Sequence, residues 1–286
     1  MSLKRNNHVV TRGYLAGWSS TDDKQRVGIW YFDIPTRAVR FSPGLKASFA
    51  ISRDLYAPVY VNGQRDDRFE NWLAENEGAL CDLARAQAAS GKRGPKPRVV
   101  YRALESIVSS GYRSAHAVRE LEVILKAQDP GLTDEEARLA VLNSIYAVAH
   151  DRMRFFKSGR IVILRNTPIR LLTNDQPFWD LTPQAEHKPM AFFALAPRCL
   201  MVFAPDLDGR EGRFSVEVRD GSDKADLADL VRRCAMRMAR DWVVCPNKSE
   251  ADAVAAYLTE DVIADVRVTD RARLLETTEL RSLFQI

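Results

Sequence analysis

Histidine and cysteine are scarce in this chain, four of each among 286 residues. The cysteines, Cys81, Cys199, Cys234 and Cys245, form no CxxC pair, which argues against a zinc knuckle or a thioredoxin-type site. Cys81 and Cys234 fall in helical patterns, Cys199 and Cys245 in apolar, strand-like runs, so all four are expected as buried free thiols in a reducing cytoplasm. His116, His150 and His187 share no motif with each other or with a carboxylate. HExxH, GxSxG, dinucleotide-loop and kinase signatures are absent, and Asp206-Leu207-Asp208-Gly209 matches only a fragment of a calcium loop. There is no repeat and no low-complexity segment. A long apolar run is also missing. The stretch MAFFALAPRCLMVFAP is broken by Pro197 and Arg198, short of the roughly 20 residues that a membrane helix needs. Two short buried strands around a Pro-Arg turn fit it better. The basic start lacks an apolar core, so no secretory signal is expected.

Neither sign of charge dominates. The 42 basic and 38 acidic residues leave a net charge of +4, which does not by itself point to nucleic acid. What is present is ordinary globular material: 46% hydrophobic and 28% charged residues, enough for a core, in a length that allows one large domain or two small ones.

The order of patterns suggests the fold class. RVGIWYFDI and AVRFS read as a hairpin, and LYAPVYV as an edge strand because Pro58 cannot donate to a ladder. From Arg65 to Ala89, Phe69, Trp72, Leu73, Leu80, Leu83 and Ala84 recur at helical spacing. SGKRGPKPR breaks that pattern and reads as a solvated loop. Helices are expected near 99–110 and 114–127, and another begins at the capping box of Thr133 and Glu136. RIVILRN, RLLTNDQPFWDL, the 191–204 hairpin and RFSVEVR are strand-like. A helix from Ser222 to Arg240, the strand DWVVCP and a helix from Asn247 to Leu258 follow, then a tail of strand and irregular chain from 262. Segregated strands and helices predict an α+β architecture, a mixed or antiparallel sheet with a helical layer or insertion. The expected organisation is a single domain over 4–286, with 65–158 as a helical subdomain.

Four constellations could carry chemistry. His8 stands just ahead of Tyr14, Leu15 and Trp18, whose spacing suits a short helix that ties the N-terminal segment down. Its imidazole could be a ligand or base, or simply a structural donor. Glu70 and Glu77 lie two helical turns apart, so both carboxylates project from one face and could hold a divalent cation or divide acid and base roles. Thr173-Asn174-Asp175-Gln176-Pro177 forms a turn at a strand end. Asn174 reads as an ordinary turn residue and Asp175 as the functional candidate. Arg233 and Arg237, with Arg240, align on one helix face that could grip phosphate. Asp226, Asp229 and Asp241 stand near enough to make it a neutralised, solvated face instead.

These pieces, in their order, resemble a bacterial domain-of-unknown-function family, the one numbered 4238. The shared features are Asn6-Asn7-His8 followed by Tyr14-Leu15 and Trp18, the acidic helix with Glu70 and Glu77, TNDQP, FALAPRCLMVF, and Asn247 opening a late helix. Thr11 stands where the family usually has proline, and Asn174 and Gln176 replace its usual Ser and Asn. The resemblance runs from residue 6 to about 257. It implies places rather than a reaction: a pocket receiving His8, Glu70, Glu77 and Asp175.

Two functions compete. One is a metal-assisted phosphodiesterase or nuclease, with His8, Glu70, Glu77 and Asp175 as catalytic groups. In it Glu70, Glu77 and Asp175 hold magnesium or manganese, and Arg233 and Arg237 contact substrate. Nucleic acid is its implied partner, and no membrane is involved. The other is a noncatalytic binding or regulatory module whose polar cluster is structural. An enzyme needs these side chains around a solvent-connected cleft. A structural network should be sealed and hydrogen-bonded.

Overall fold

Two five-stranded sheets meet in the interior, and a block of helices lies between their strands in sequence. The structure, a computed structural model, describes residues 6–58, 64, 66–88, 94–157, 159–180, 191–204, 214–259 and 262. The class is α+β.

The N-terminal segment is tied down. β1 (Asn6–His8) pairs antiparallel with β5 (Ile51–Arg53) in a two-stranded ribbon. A short helix α1 (Arg12–Leu15) continues into a 3-10 turn at Ala16–Trp18, and Tyr14, Leu15 and Trp18 are fully buried. β2 (Ser20–Thr21) then leads into the hairpin of β3 (Val27–Asp33) and β4 (Ala38–Pro43).

Leu55–Pro58 is not the edge strand expected from its composition. Asp54 has φ 52°, a left-handed conformation that ends β5, and the Tyr56 N–H donates to the Asn7 side chain instead of a ladder. The rest of that expected strand lies outside the described residues, as does most of the tail after 259.

Four helices follow: α2 (Arg68–Ala88), α3 (Pro97–Ser109), α4 (Ala115–Gln128) and α5 (Asp134–Lys157). Pro97 occupies the first turn of α3, where its missing N–H costs nothing, so this helix starts inside the basic loop. α2 packs on α3, and both α3 and α4 pack on α5.

The first sheet runs β11 (Ser215–Asp220), β6 (Arg160–Arg165), β10 (Cys199–Ala204), β9 (Ala191–Ala196) and β8 (Phe178–Asp180). Only the β11–β6 pair is parallel. β9 reads AFFALA, and every residue is buried, so both of its faces are covered. The second sheet joins β4, β3, β12 (Trp242–Cys245) and β7 (Thr173–Asn174), with β2 beside the start of β3. α6 (Ala225–Met238) feeds β12, and α7 (Lys248–Tyr257) packs across β3, β4 and β12. The buried apolar side chains of both sheets and the helices form one connected core. All four cysteines are buried and free. Among the described residues no helix is long and apolar enough to cross a membrane.

Candidate functional site at the joint between the sheets

β7 belongs to the second sheet and β8 to the first. The chain therefore crosses between them in the three residues Asp175, Gln176 and Pro177. This crossing is inside the protein, where water cannot serve its polar groups, so each must find an internal partner. That requirement accounts for the composition of TNDQP. Asn174 Oδ1 accepts from the Gln176 N–H at 2.9 Å, and Asn174 Nδ2 donates to the Ala235 carbonyl at 2.8 Å. Gln176 Nε2 donates to Ser114 Oγ at 2.8 Å. Asp175 Oδ1 accepts from the main-chain N–H groups of Arg240 at 3.0 Å and Asp241 at 3.3 Å, where α6 turns into β12. Asp175 Oδ2 is buried and has no partner among the described residues. Burial, and then the charge of Asp241, push the Asp175 carboxyl up to about 7.

The N-terminal aromatics complete the joint. The Tyr14 hydroxyl donates to the Ala194 carbonyl in β9 and accepts from Thr173 Oγ1 in β7, at 2.5 and 2.9 Å. Trp18 Nε1 donates to the Leu171 carbonyl at 3.3 Å. One phenol thus links both sheets. This is why the opening segment is held rather than frayed.

The carboxylates of α2 meet a different partner. Glu77 Oε1 accepts from Arg113 Nη2 at 2.9 Å, and the Arg113 side chain has no exposed surface while that of Glu77 is 23% exposed. Arg113 Nε and Nη1 have no partner among the described residues. The Tyr56 hydroxyl donates to the Arg113 carbonyl at 2.6 Å. Burial pushes the Tyr56 phenol up; Arg113 opposes that rise, and the charges of Glu77 and Glu70 add to it. Glu70 and Glu77 therefore share a face near Tyr56, as their spacing predicts, and both are partly buried. Ser114 follows Arg113 directly, so this network touches the Gln176 end of the crossing.

His8 makes no direct part of either network. Its Nε2 donates to the Lys46 carbonyl at 3.3 Å, on the partly exposed side of β1. Strand alternation turns the neighbouring Asn7 inward instead. Asn7 is 2% exposed, and its Oδ1 holds the Tyr56 N–H at 3.3 Å. Asn7, not His8, connects the opening segment to Tyr56, Arg113 and Glu77. Arg233 lies 3.3 Å from Asp229 Oδ2 one turn away, and Arg237 Nε donates to the Tyr257 hydroxyl at 3.0 Å. The Arg237 guanidinium is bonded across to α7, while the Arg233–Asp229 pair is exposed at the surface.

Among the described residues no group of three or more His, Cys, Asp or Glu is gathered to hold a metal ion. Arg113 had no signal in the sequence, because its partners Tyr56 and Glu77 become neighbours only on folding. Asn7 lies within the Asn-Asn-His motif, and inward alternation in a strand is the signal that could find it. Comparison with protein-family models, curated proteins and solved structures finds no match to this chain.

Proposed function

We propose that this chain is a noncatalytic binding or regulatory module whose polar cluster is architectural. The observation that carries this reading is the sealing of Asp175: it has no exposed surface, and one of its oxygens already serves two main-chain N–H groups. A carboxylate that meets substrate needs a path to solvent. We assign the protein to the cytoplasm, on the strength of four buried free thiols. The ordered motifs from Asn6 to Asn247 support reading it as a member of the family numbered 4238.

A second reading, the metal-assisted phosphodiesterase or nuclease, draws support from one observation. Glu70 and Glu77 are partly exposed on the same face of α2 and could hold magnesium or manganese there. Nucleic acid would then be the partner, gripped through Arg233 and Arg237. Calorimetric titration of the whole chain with magnesium and with manganese separates the two readings. The module reading expects no saturable heat. Saturable binding that disappears in Glu70→Gln, a variant that keeps the Glu77–Arg113 pair, would replace it with the enzyme reading.

A further inference from the structure

We propose that the joint between the two sheets is a proton-operated latch, in which protonated Asp175 holds the turn from α6 into β12 and ionised Asp175 loosens it. The geometry comes first. Asp175 stands in the crossing from β7 to β8, so a change there is felt by both sheets. Its Oδ1 fastens two consecutive N–H groups, those of Arg240 and Asp241, at the only turn between α6 and β12. Its Oδ2 is buried with no partner among the described residues, the position a proton would occupy. The two N–H bonds at Oδ1 favour an anion, but the sealed Oδ2 has nothing to solvate it, and Asp241, which supplies one of those N–H groups, opposes it with its own carboxylate charge.

The surroundings tune the pair without neutralising Asp175. Burial raises the Asp241 carboxyl, while His116 and Arg119 of α4 pull it down and Asp33 of β3 pushes it up. Asp33 is itself 3.5 Å from Arg40 of β4. From α6, Arg237 is bonded to Tyr257, and Ala235 presents only its carbonyl, to Asn174. From β12, Val243 and Val244 pair with β7 and bring no charge. Tyr14 reaches β7 as a hydroxyl, through Thr173. No cation therefore meets Asp175 directly among the described contacts. Burial disfavours the charged form and, with Asp241, pushes the Asp175 carboxyl up to about 7.

The sign follows from linkage. The folded-state value lies above the ordinary 3.8, so the stabilisation is complete at low pH and is lost as pH rises through about 7. The opening equilibrium of the latch then rises up to about tenfold per pH unit between the ordinary value and about 7, and levels off above it, where both states are ionised.

The test measures thermal unfolding midpoints of the whole chain from about pH 5.5 to about pH 9, with hydrogen exchange at the Arg240 and Asp241 amides. Wild type should lose midpoint temperature from about pH 5.5 up to about pH 7 and level off above it, and over that range these two amides should lose protection beyond the intrinsic base-catalysed rate. Asp175→Asn keeps an acceptor for both N–H groups and cannot ionise, so its midpoint should not show that loss. Asp241→Asn removes the like charge that raises the Asp175 carboxyl, so its loss should move to lower pH. His116→Gln should retain the loss, which separates it from titration of the imidazole. A wild-type midpoint that is flat or rises between about pH 5.5 and about pH 7 overturns the latch, and so does an equal fall in Asp175→Asn. If Asp175→Asn does not fold, an Asp241→Asn transition at the wild-type pH overturns it. These outcomes do not depend on metal binding, so they are independent of the calorimetric result for Glu70 and Glu77.

Discussion

Tyr14 and Thr173 share a hydrogen bond of 2.9 Å although they lie 159 residues apart in the chain. The same phenol donates to the carbonyl of Ala194, so a side chain from α1 couples β7 of one sheet to β9 of the other. The aromatic ring adds packing to this bond: Trp18 lies edge-on at 4.9 Å and Phe193 at 5.0 Å between centroids. Three aromatic groups and two hydrogen bonds therefore join the two sheets beside the crossing that carries Asp175.

Tyr14→Phe should keep the ring packing and lose both bonds. We expect a loss of about 1–3 kcal/mol, because Thr173 Oγ1 would be stranded in a site that water does not reach. Thr173→Val should cost less in the Tyr14→Phe background than alone, since the two hydroxyls share one bond. Denaturant unfolding of the two single variants and the double variant measures this coupling. Strictly additive losses would mean that the bond contributes nothing to the joint.

Arg113 and Glu77 should respond unequally to loss of the partner. Glu77→Gln leaves a fully buried guanidinium without its counter-ion, and we expect about 3 kcal/mol of destabilisation, the low end for a broken buried pair because Glu77 itself is 23% exposed. Arg113→Met leaves a carboxylate that water can reach, and it fills the same space with an apolar chain. It should therefore cost less than Glu77→Gln. The double variant, with neither charge, should recover most of the loss. Unfolding free energies from denaturant titration decide the order. A larger loss for Arg113→Met would show that packing, not desolvation, sets the energetics here.

Local features of this fold were legible in the sequence, and long-range ones were not. The capping box of α5 forms as its spacing predicts, with Thr133 Oγ1 accepting from the Glu136 N–H and the Glu136 carboxylate accepting from the Thr133 N–H. Asn247 caps α7 by accepting from the Glu250 N–H at 2.9 Å. The hairpins β3–β4 and β9–β10 lie where β-branched and aromatic runs surround a turn signal. The strand expected at 55–61 shows the limit of such patterns. Tyr56 has the right composition, but its N–H is taken by Asn7, 49 residues earlier. The polar turn at 173–177 was recognisable as a turn. That it crosses between two sheets depends on β12 arriving from 70 residues later to pair with β7, and no local pattern encodes that. Arg113 is the extreme case: its role exists only through Tyr56 and Glu77.

Ser114 carries two duties, and this gives the last prediction. Its Oγ accepts from the Ala117 N–H at 3.1 Å as the N-cap of α4, and also accepts from Gln176 Nε2 at 2.8 Å. Among the described residues Asn247 makes only the capping bond, at α7. Asn247→Ala should therefore cost about 1 kcal/mol, the ordinary value of a lost cap. Ser114→Ala should cost that much and about 1–3 kcal/mol more, because the Gln176 amide is then left in the crossing without its acceptor. Adding Gln176→Met removes the stranded amide while keeping a side chain of similar length, so Ser114→Ala/Gln176→Met should be more stable than Ser114→Ala alone. Asn247→Ala combined with Gln176→Met should show no such recovery, since among the described residues the Gln176 side chain bonds to Ser114 and not to α7. Equilibrium unfolding of these variants tests the scheme. Equal losses for Ser114→Ala and Asn247→Ala would reduce Ser114 to a cap and remove its link between α4 and the joint of the sheets.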